Sequence, residues 1–316
     1  MTRLKIKRKN KSQTSEGFRG RLHRYQMSYS NWIYVMIQIK LKRSLVPKFR
    51  ANSKLKILKG DNESLNLSPV QAVFFSEVMS ASPSLSISDI VVDLKAGTIA
   101  FNWEGKNVIL QVMYLGAEGV NGDVVGVFFN NEYQFLRSTS MDVLDIGSNI
   151  CDSSIYFALQ GAKRVIALEP FPYSYKMARM NLELNGLTHR ILLVNAGYGR
   201  DGVVNIDESI ISSIGSKLSP VRDGNSIPIY SLRTLIDRYE IDSAFLKLDC
   251  EGYEYNLEAE SDATLRRFPK IQIEYHNGIR GLKDRLESAG FEVYTTPSKK
   301  VAHLGYIYAA LRNRLF

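Results

Sequence analysis

From Met141 onward, short apolar runs alternate with stretches of helical pattern, and this alternation constrains the fold more than any other feature of the chain. Val143–Ile146, Arg164–Leu168, Ile191–Val194, Phe245–Leu248 and Ile271–Tyr275 read as strands. Runs this short and this apolar suit strands covered on both faces. Helical segments at 155–159 and 174–185 separate the first three, and Gly186 is a natural C-terminal cap for the second. Strands alternating with helices predict a parallel sheet with helices on both faces. Phe291–Thr295 and Tyr306–Leu311 are joined by a short polar link holding Pro297, Lys299 and Lys300. No crossover helix fits there, so this last pair is predicted to be antiparallel.

The preceding residues read differently. A helix is predicted over Ser28–Lys42 and another over Val70–Met79, the latter opened by Ser68-Pro69. Phe49–Leu58 and Ile90–Ile99 alternate as strands, and Gly97–Gln111 reads as a hairpin turning at Glu104-Gly105. Three parts are therefore expected: a basic disordered tail over 1–26, an accessory α/β region over 27–125, and a main domain over 126–316. The tail carries nine Lys/Arg and one acid, Glu16, whereas the other 290 residues hold 32 basic and 31 acidic groups. Contact of the tail with nucleic acid or an anionic membrane is the functional alternative to a solvated arm.

Composition excludes several classes. With 45% hydrophobic and 23% charged residues, the chain is neither wholly disordered nor collagen-like. The longest apolar run, Trp32–Ile39, is far short of the roughly twenty residues a membrane span needs. Two cysteines, Cys151 and Cys250, are too few for a disulfide framework or a zinc site, so a reducing, cytoplasmic setting is expected.

The loop Asp145-Ile146-Gly147-Ser148-Asn149-Ile150-Cys151-Asp152 follows the first strand of the main domain and opens a helix, where open α/β sheets bind ligands. Glu169 ends the next strand and suits both hydroxyls of a ribose. A dinucleotide site would need further glycines, and Asp145 and Asp152 would repel its diphosphate. The same carboxylates favour a cationic ligand such as S-adenosylmethionine, with its ammonium and sulfonium. Asp152 reads equally well as a helix cap.

The run VLDIGSNICDSSIYFALQGAKRVIALEPFPYSYKMARMNLELNGL (143–187), with FLKLDCEGYE (245–254) and IQIEYHN (271–277), resembles the FkbM family of S-adenosylmethionine-dependent methyltransferases. The stretch around Asn31-Trp32 and Pro47–Leu58 resembles the leader of archaeal members. The resemblance implies a class I, Rossmann-like methyltransferase sheet of seven strands ordered 3-2-1-4-5-7-6. By position, it implies that Asp145, Gly147 and Asn149 hold the methionine part of S-adenosylmethionine, Glu169 the ribose, and that Asn195 and Ala196 flank the adenine. Ser148, Cys151, Pro170 and Asp249 complete the expected cofactor set. Cys151 stands where the family usually has glycine, and weaker binding is expected from it.

Alternation places Lys247 and Asp249 on one face of the fourth strand, and Gln272, Glu274 and His276 on one face of the fifth. Charges on a central parallel strand need partners, so if strands four and five are neighbours Lys247 and Glu274 are within reach and a pair or network is expected. His276, Asp249, Glu274 and Lys247 are the expected catalytic set, with His276, Asp249 and Glu274 as candidate bases. Asp249, Glu251, Glu274 and His276 as Mg²⁺ or Mn²⁺ ligands is the weaker alternative, and no metal is expected. The expected activity is O-methylation of a sugar, glycan or other small hydroxyl acceptor. The alternatives are RNA methylation and a cofactor-binding protein without catalysis.

Overall fold

The computed structural model describes residues 18–50, 55–59, 65–81, 87–113, 119–137, 140–206, 225–298 and 303–312. Two helices come first, α1 (Phe18–Ser28) and α2 (Trp32–Lys40). The single helix expected over 28–42 is broken because Tyr29 makes a β-bridge with Phe49 and Asn31 turns its amide onto the next segment. Asn31 Oδ1 accepts from Lys48 N at 2.8 Å, and its Nδ2 donates to Val46 O at 3.1 Å. Residues 18–26, expected within the disordered tail, are helical instead. Tyr25 is buried among core residues, and Arg24 pairs with Glu77 at 3.3 Å. Residues 1–17 of that expected tail lie outside the described residues.

Strand β1 (Leu55–Leu58) leads to helix α3 (Pro69–Ala81), then to β2 (Ile87–Asp93), β3 (Thr98–Trp103) and β4 (Lys106–Gln111), which form one sheet ordered β1-β2-β3-β4. A reciprocal cap starts α3: Gln71 N donates to Ser68 Oγ, and Ser68 N donates to Gln71 Oε1. The expected strand over 90–99 is interrupted at Asp93–Gly97. There Asp93 Oδ1 accepts from Lys95 N and Ala96 N, and Gly97 takes φ +72°. An Asp side chain closing a turn on its own backbone outcompeted the apolar alternation.

The main sheet begins with β5 (Asp142–Ile146). Helix α4 (Asp152–Leu159), β6 (Val165–Leu168), α5 (Pro172–Leu184) and β7 (Ile191–Val194) follow. A small side sheet, unforeseen from sequence, comes next: β8 (Gly197–Tyr198), β9 (Gly202–Ile206) and β10 (Asn225–Tyr230). The chain continues through α6 (Leu232–Arg238), β11 (Ala244–Leu248), α7 (Asp262–Leu265), β12 (Lys270–Tyr275), α8 (Leu282–Ser288), β13 (Phe291–Pro297) and β14 (Gly305–Leu311). The main sheet is ordered β13-β14-β12-β11-β5-β6-β7, parallel except for β14, which runs antiparallel to both its neighbours. This is the order and direction expected; Lys299 and Lys300 of the connecting link lie outside the described residues.

The two sheets share one core. Trp103 of β3 is fully buried, 5.1 Å from Tyr156 of α4 and 5.3 Å from Phe128, ring centre to ring centre. Each such aromatic pair adds about 0.5–1.5 kcal/mol beyond area burial. Strand β4 would leave an open edge, but Asn181 of α5 and Asn185, the residue that caps its C-terminus, cover it. Asn181 Oδ1 accepts from Gln111 N at 2.6 Å and Asn185 Oδ1 from Ile109 N at 3.0 Å, while both amides donate to the carbonyls of the same strand residues. Covering an edge satisfies backbone groups that would otherwise attract another strand. The expected boundary at 125/126 falls inside this shared core, at a π-helical turn (Val125–Phe129). No helix among the described residues is long and apolar enough to cross a membrane.

Candidate functional site

Parallel strands end together, so β5, β6, β7 and β11 open a common crevice at their carboxyl ends. A cavity of about 570 Å³ occupies it. Its apolar lining comes from Ile146, Leu168, Phe171, Ala196 and Tyr198 among others. Its polar lining comes from Asp123, Asn149, Glu169, Asp249 and Glu251.

The loop after β5 has the backbone needed to line this crevice. Gly147 has φ +78°, and a Cβ there would overlap the carbonyl oxygen of Asp249. Gly147 N and Ser148 N both donate to Leu168 O, tying the loop to the end of β6. Asn149, at φ +49°, donates its N–H to Glu169 Oε2 at 2.9 Å and its side-chain amide to Asp123 Oδ2 at 3.0 Å. Phe171 N donates to Glu169 Oε1 at 2.9 Å. Glu169 thus faces the cavity with each oxygen fixed by one backbone donor and one lone pair of each still free. Burial pushes its carboxyl up to about 8, opposed by those two hydrogen bonds and by Lys247. Asn195 lies behind this loop and donates to Glu169 O and Pro170 O, so it braces the cavity rather than lining it. Pro170 and Ala196 line it directly.

Asp145, Ser148 and Cys151 do not line the cavity. Asp145 is fully buried; its Oδ2 accepts from Ser153 Oγ at 2.7 Å and Ser154 Oγ at 2.5 Å, and its Oδ1 lies 3.1 Å from Lys247 Nζ. Lys247 was expected within reach of Glu274, but strand register sets it directly opposite Asp145. It also donates to Gly147 O at 2.6 Å and lies 3.9 Å from Asp249. Burial pulls the Lys247 ammonium down, but Asp145 and Asp249 more than offset it and hold it above the usual lysine range. Lys247 is therefore a buried strut under the glycine loop. Cys151 takes a left-handed φ of +63°, and its thiol packs into the core beside Ser148. The expected crowding by Cys151 is thus directed away from the cavity; what it costs is backbone strain. Asp152 is the first residue of α4 rather than its cap, and its Oδ1 accepts from Ser153 N.

Beyond the polar lining, Asp249, Glu274 and His276 converge. One ligand atom from each lies within 4.8 Å of the others, close enough to share a proton, a hydroxyl or a cation. His276 Nδ1 lies 3.4 Å from Glu254 Oε1, a carboxylate with no exposure, which also accepts from His276 N at 2.8 Å. That contact selects the Nδ1–H tautomer and leaves Nε2 facing Asp249 at 3.6 Å and Glu251 at 3.5 Å. Burial lowers the imidazole, but the Glu254 hydrogen bond with Asp249, Glu254 and Glu251 outweighs it and raises His276. Glu274 is pushed well up by burial and by the carboxylates of Asp249, Glu132 and Asp123. Asp123 is raised to about 7 by desolvation and by Asp249 and Glu132. Asp123 is itself exposed, with Asp249 and Glu132 as its like-charged neighbours.

Sequence reasoning missed Asp123, Glu132, Glu254, Phe171 and Tyr198. Glu254 closes the FLKLDCEGYE run, so a signal for it existed. Asp123 and Glu132 flank the π-helical turn and carry no local pattern that marks a site.

Residues 145–293 match the family described as the methyltransferase FkbM domain. Among curated proteins there is no match. The chain is similar to the solved precorrin-6y C5,15-methyltransferase of Geobacter metallireducens, with 18% identity over 65% of this chain and 94% of that one, TM-score 0.36. It is also similar to M. capricolum TrmK, solved with S-adenosyl-homocysteine, with 15% identity over 58% and 68% of the two chains, TM-score 0.38. The cavity suits S-adenosylmethionine: its lining combines apolar side chains, a carboxylate with two free lone pairs, a glycine turn that admits no Cβ, and further acidic groups. The match to the methyltransferase FkbM domain over residues 145–293, with this cavity, identifies the chain as an S-adenosylmethionine-dependent methyltransferase.

Proposed function

We propose that the chain methylates a hydroxyl of a sugar, glycan or other small acceptor, with His276 as the general base. The observation that carries this reading is the Glu254–His276 contact beside the cofactor crevice. In this reading Glu169 accepts both ribose hydroxyls, Phe171 and Tyr198 enclose the adenine, and Gly147 and Asn149 face the methionine part. Asp249 and Glu251 favour the cationic end of the cofactor. S-adenosylmethionine supplies an activated methyl when bound. The residues here need only align the acceptor oxygen and take its proton, two effects worth roughly 7–11 kcal/mol and 10²–10⁴-fold respectively. His276 Nε2 accepts the proton, and the buried Glu254 carboxylate stabilises the resulting imidazolium.

The acidic groups here disfavour a phosphate-rich acceptor such as RNA, because Asp123, Glu132, Asp249, Glu251 and Glu274 would face its backbone. A second reading rests on the converging atoms of Asp249, Glu274 and His276, which suit a divalent cation that would orient the acceptor oxygen. Extract incubated with the protein and labelled S-adenosylmethionine tests the primary reading. Label in a hydroxyl of a glycan or small molecule, identified by mass spectrometry, is the expected result. Label confined to RNA would reject it.

A further inference from the structure

Helix α2 is apolar apart from Gln38 and Lys40, yet much of its apolar surface is exposed. Val35 is fully buried, and Trp32, Met36 and Ile39 pack against the core. On the opposite side Ile33 is 54% exposed, Ile37 45% and, just past the helix end, Leu41 51%. These three recur every fourth residue and so form one stripe along the helix. Tyr34 lies beside them at 41%. Soluble helices normally place polar residues on such a face. The exposed apolar side chains are also concentrated: six of the twelve largest among the described residues fall within residues 27–46.

Charge follows the same segment. Residues 17–60 contain eleven Lys/Arg and no Asp or Glu. Counted over residues 1–60 the net charge is +16, against −7 for residues 61–316. The basic character therefore extends well beyond a tail, and Lys40, Lys42 and Arg43 are exposed at the end of the apolar stripe.

We propose that α2 seats the protein on an anionic lipid bilayer, with Ile33, Ile37 and Leu41 entering the interface and the surrounding cations meeting the headgroups. An apolar stripe rimmed by Lys and Arg is the chemistry of a helix that lies in the plane of a membrane surface. Nucleic acid would satisfy the cations but leave three aliphatic side chains in water. A second copy packed on the stripe would bury its aliphatic side chains but bring no anionic partner to Lys40, Lys42 and Arg43, since residues 17–60 hold no Asp or Glu.

Co-sedimentation of the full chain with phosphatidylcholine vesicles, with and without about 30% phosphatidylglycerol, tests this. The anionic vesicles bind the protein at least ~10-fold better than the neutral ones, and high salt weakens the binding. The triple variant Ile33→Ser, Ile37→Ser, Leu41→Ser loses at least ~10-fold of that binding while cofactor titration remains unchanged, which also checks its fold. The charge variant Lys40→Glu, Lys42→Glu, Arg43→Glu loses a similar amount and serves as a second route if the triple variant is unstable. Unchanged vesicle binding in both variants overturns the proposal. So does a dimer in solution that the triple variant dissociates, or salt-sensitive RNA binding without vesicle binding.

Discussion

The carbonyl oxygen of Asp249 occupies the space that a Cβ on Gly147 would need, so the glycine turn and the end of β11 are fitted to each other with no side chain between them. Gly147→Ala must both strain a backbone at φ +78° and push β11 away. We expect a loss of about 2–5 kcal/mol, combining left-handed strain with overpacking. Chemical denaturation measures this loss. Cofactor titration of the folded fraction should show weakened affinity, because the same turn positions Asn149.

The pH dependence of cofactor binding should report Glu169. Its ionised form accepts from both ribose hydroxyls, and burial raises its pKa to about 8. Affinity should therefore rise with pH by about tenfold per unit below about 8 and then level off. The sign for stability is opposite. The folded state binds this proton more tightly than the unfolded chain, so its contribution is full below the ordinary glutamate value and is lost as pH rises toward 8. Calorimetric titration at several pH values checks the first effect, and melting without cofactor checks the second.

Cys151→Gly relieves a left-handed non-glycine residue but removes a packed thiol. These terms are each about 1 kcal/mol and opposite in sign, so stability should move by less than about 1 kcal/mol. Cofactor affinity should be unchanged, since the thiol points into the core. A clear drop in affinity would mean that the side chain supports the loop more directly than its packing indicates.

His276→Ala should lower turnover by roughly 10²–10⁴-fold and leave cofactor affinity nearly unaltered. In the unsubstituted enzyme the rate should rise with pH through a value above the ordinary histidine range, because three carboxylates raise this imidazole. The stabilisation from the charged imidazole is full at low pH and is lost as pH rises through that raised value. Glu254→Gln should shift the rate profile toward lower pH, a change that a purely structural contact would not produce. Activity lost to a chelator and restored by Mg²⁺ or Mn²⁺ would replace the base with the cation reading.

The main sheet was legible because its strands are short, largely apolar runs between helical segments and its C-terminal link is too short for a helix. The glycine loop and Glu169 were legible because they follow strands directly. Lys247 was set beside Glu274 rather than Asp145 for a definable reason. A central strand has two neighbours, and only the register between β11 and β5 sets Lys247 opposite Asp145. Asn181 and Asn185 could not be read as cover for β4, since a side-chain amide against a strand edge leaves no periodic trace. Cys151 matched no expectation of crowding because its left-handed backbone directs the thiol inward. The contribution of Asp123 and Glu132 was hidden because they flank a π-helical turn, which has no sequence signature.

The cofactor assignment underlies every other step, and Glu169 tests it most directly. Titration of S-adenosylhomocysteine into the native protein and into Glu169→Ala should show affinity weakened by about 1–3 kcal/mol, the loss of two charge-assisted hydrogen bonds to ribose. Equal affinity in the two proteins, with both folded, would contradict the account.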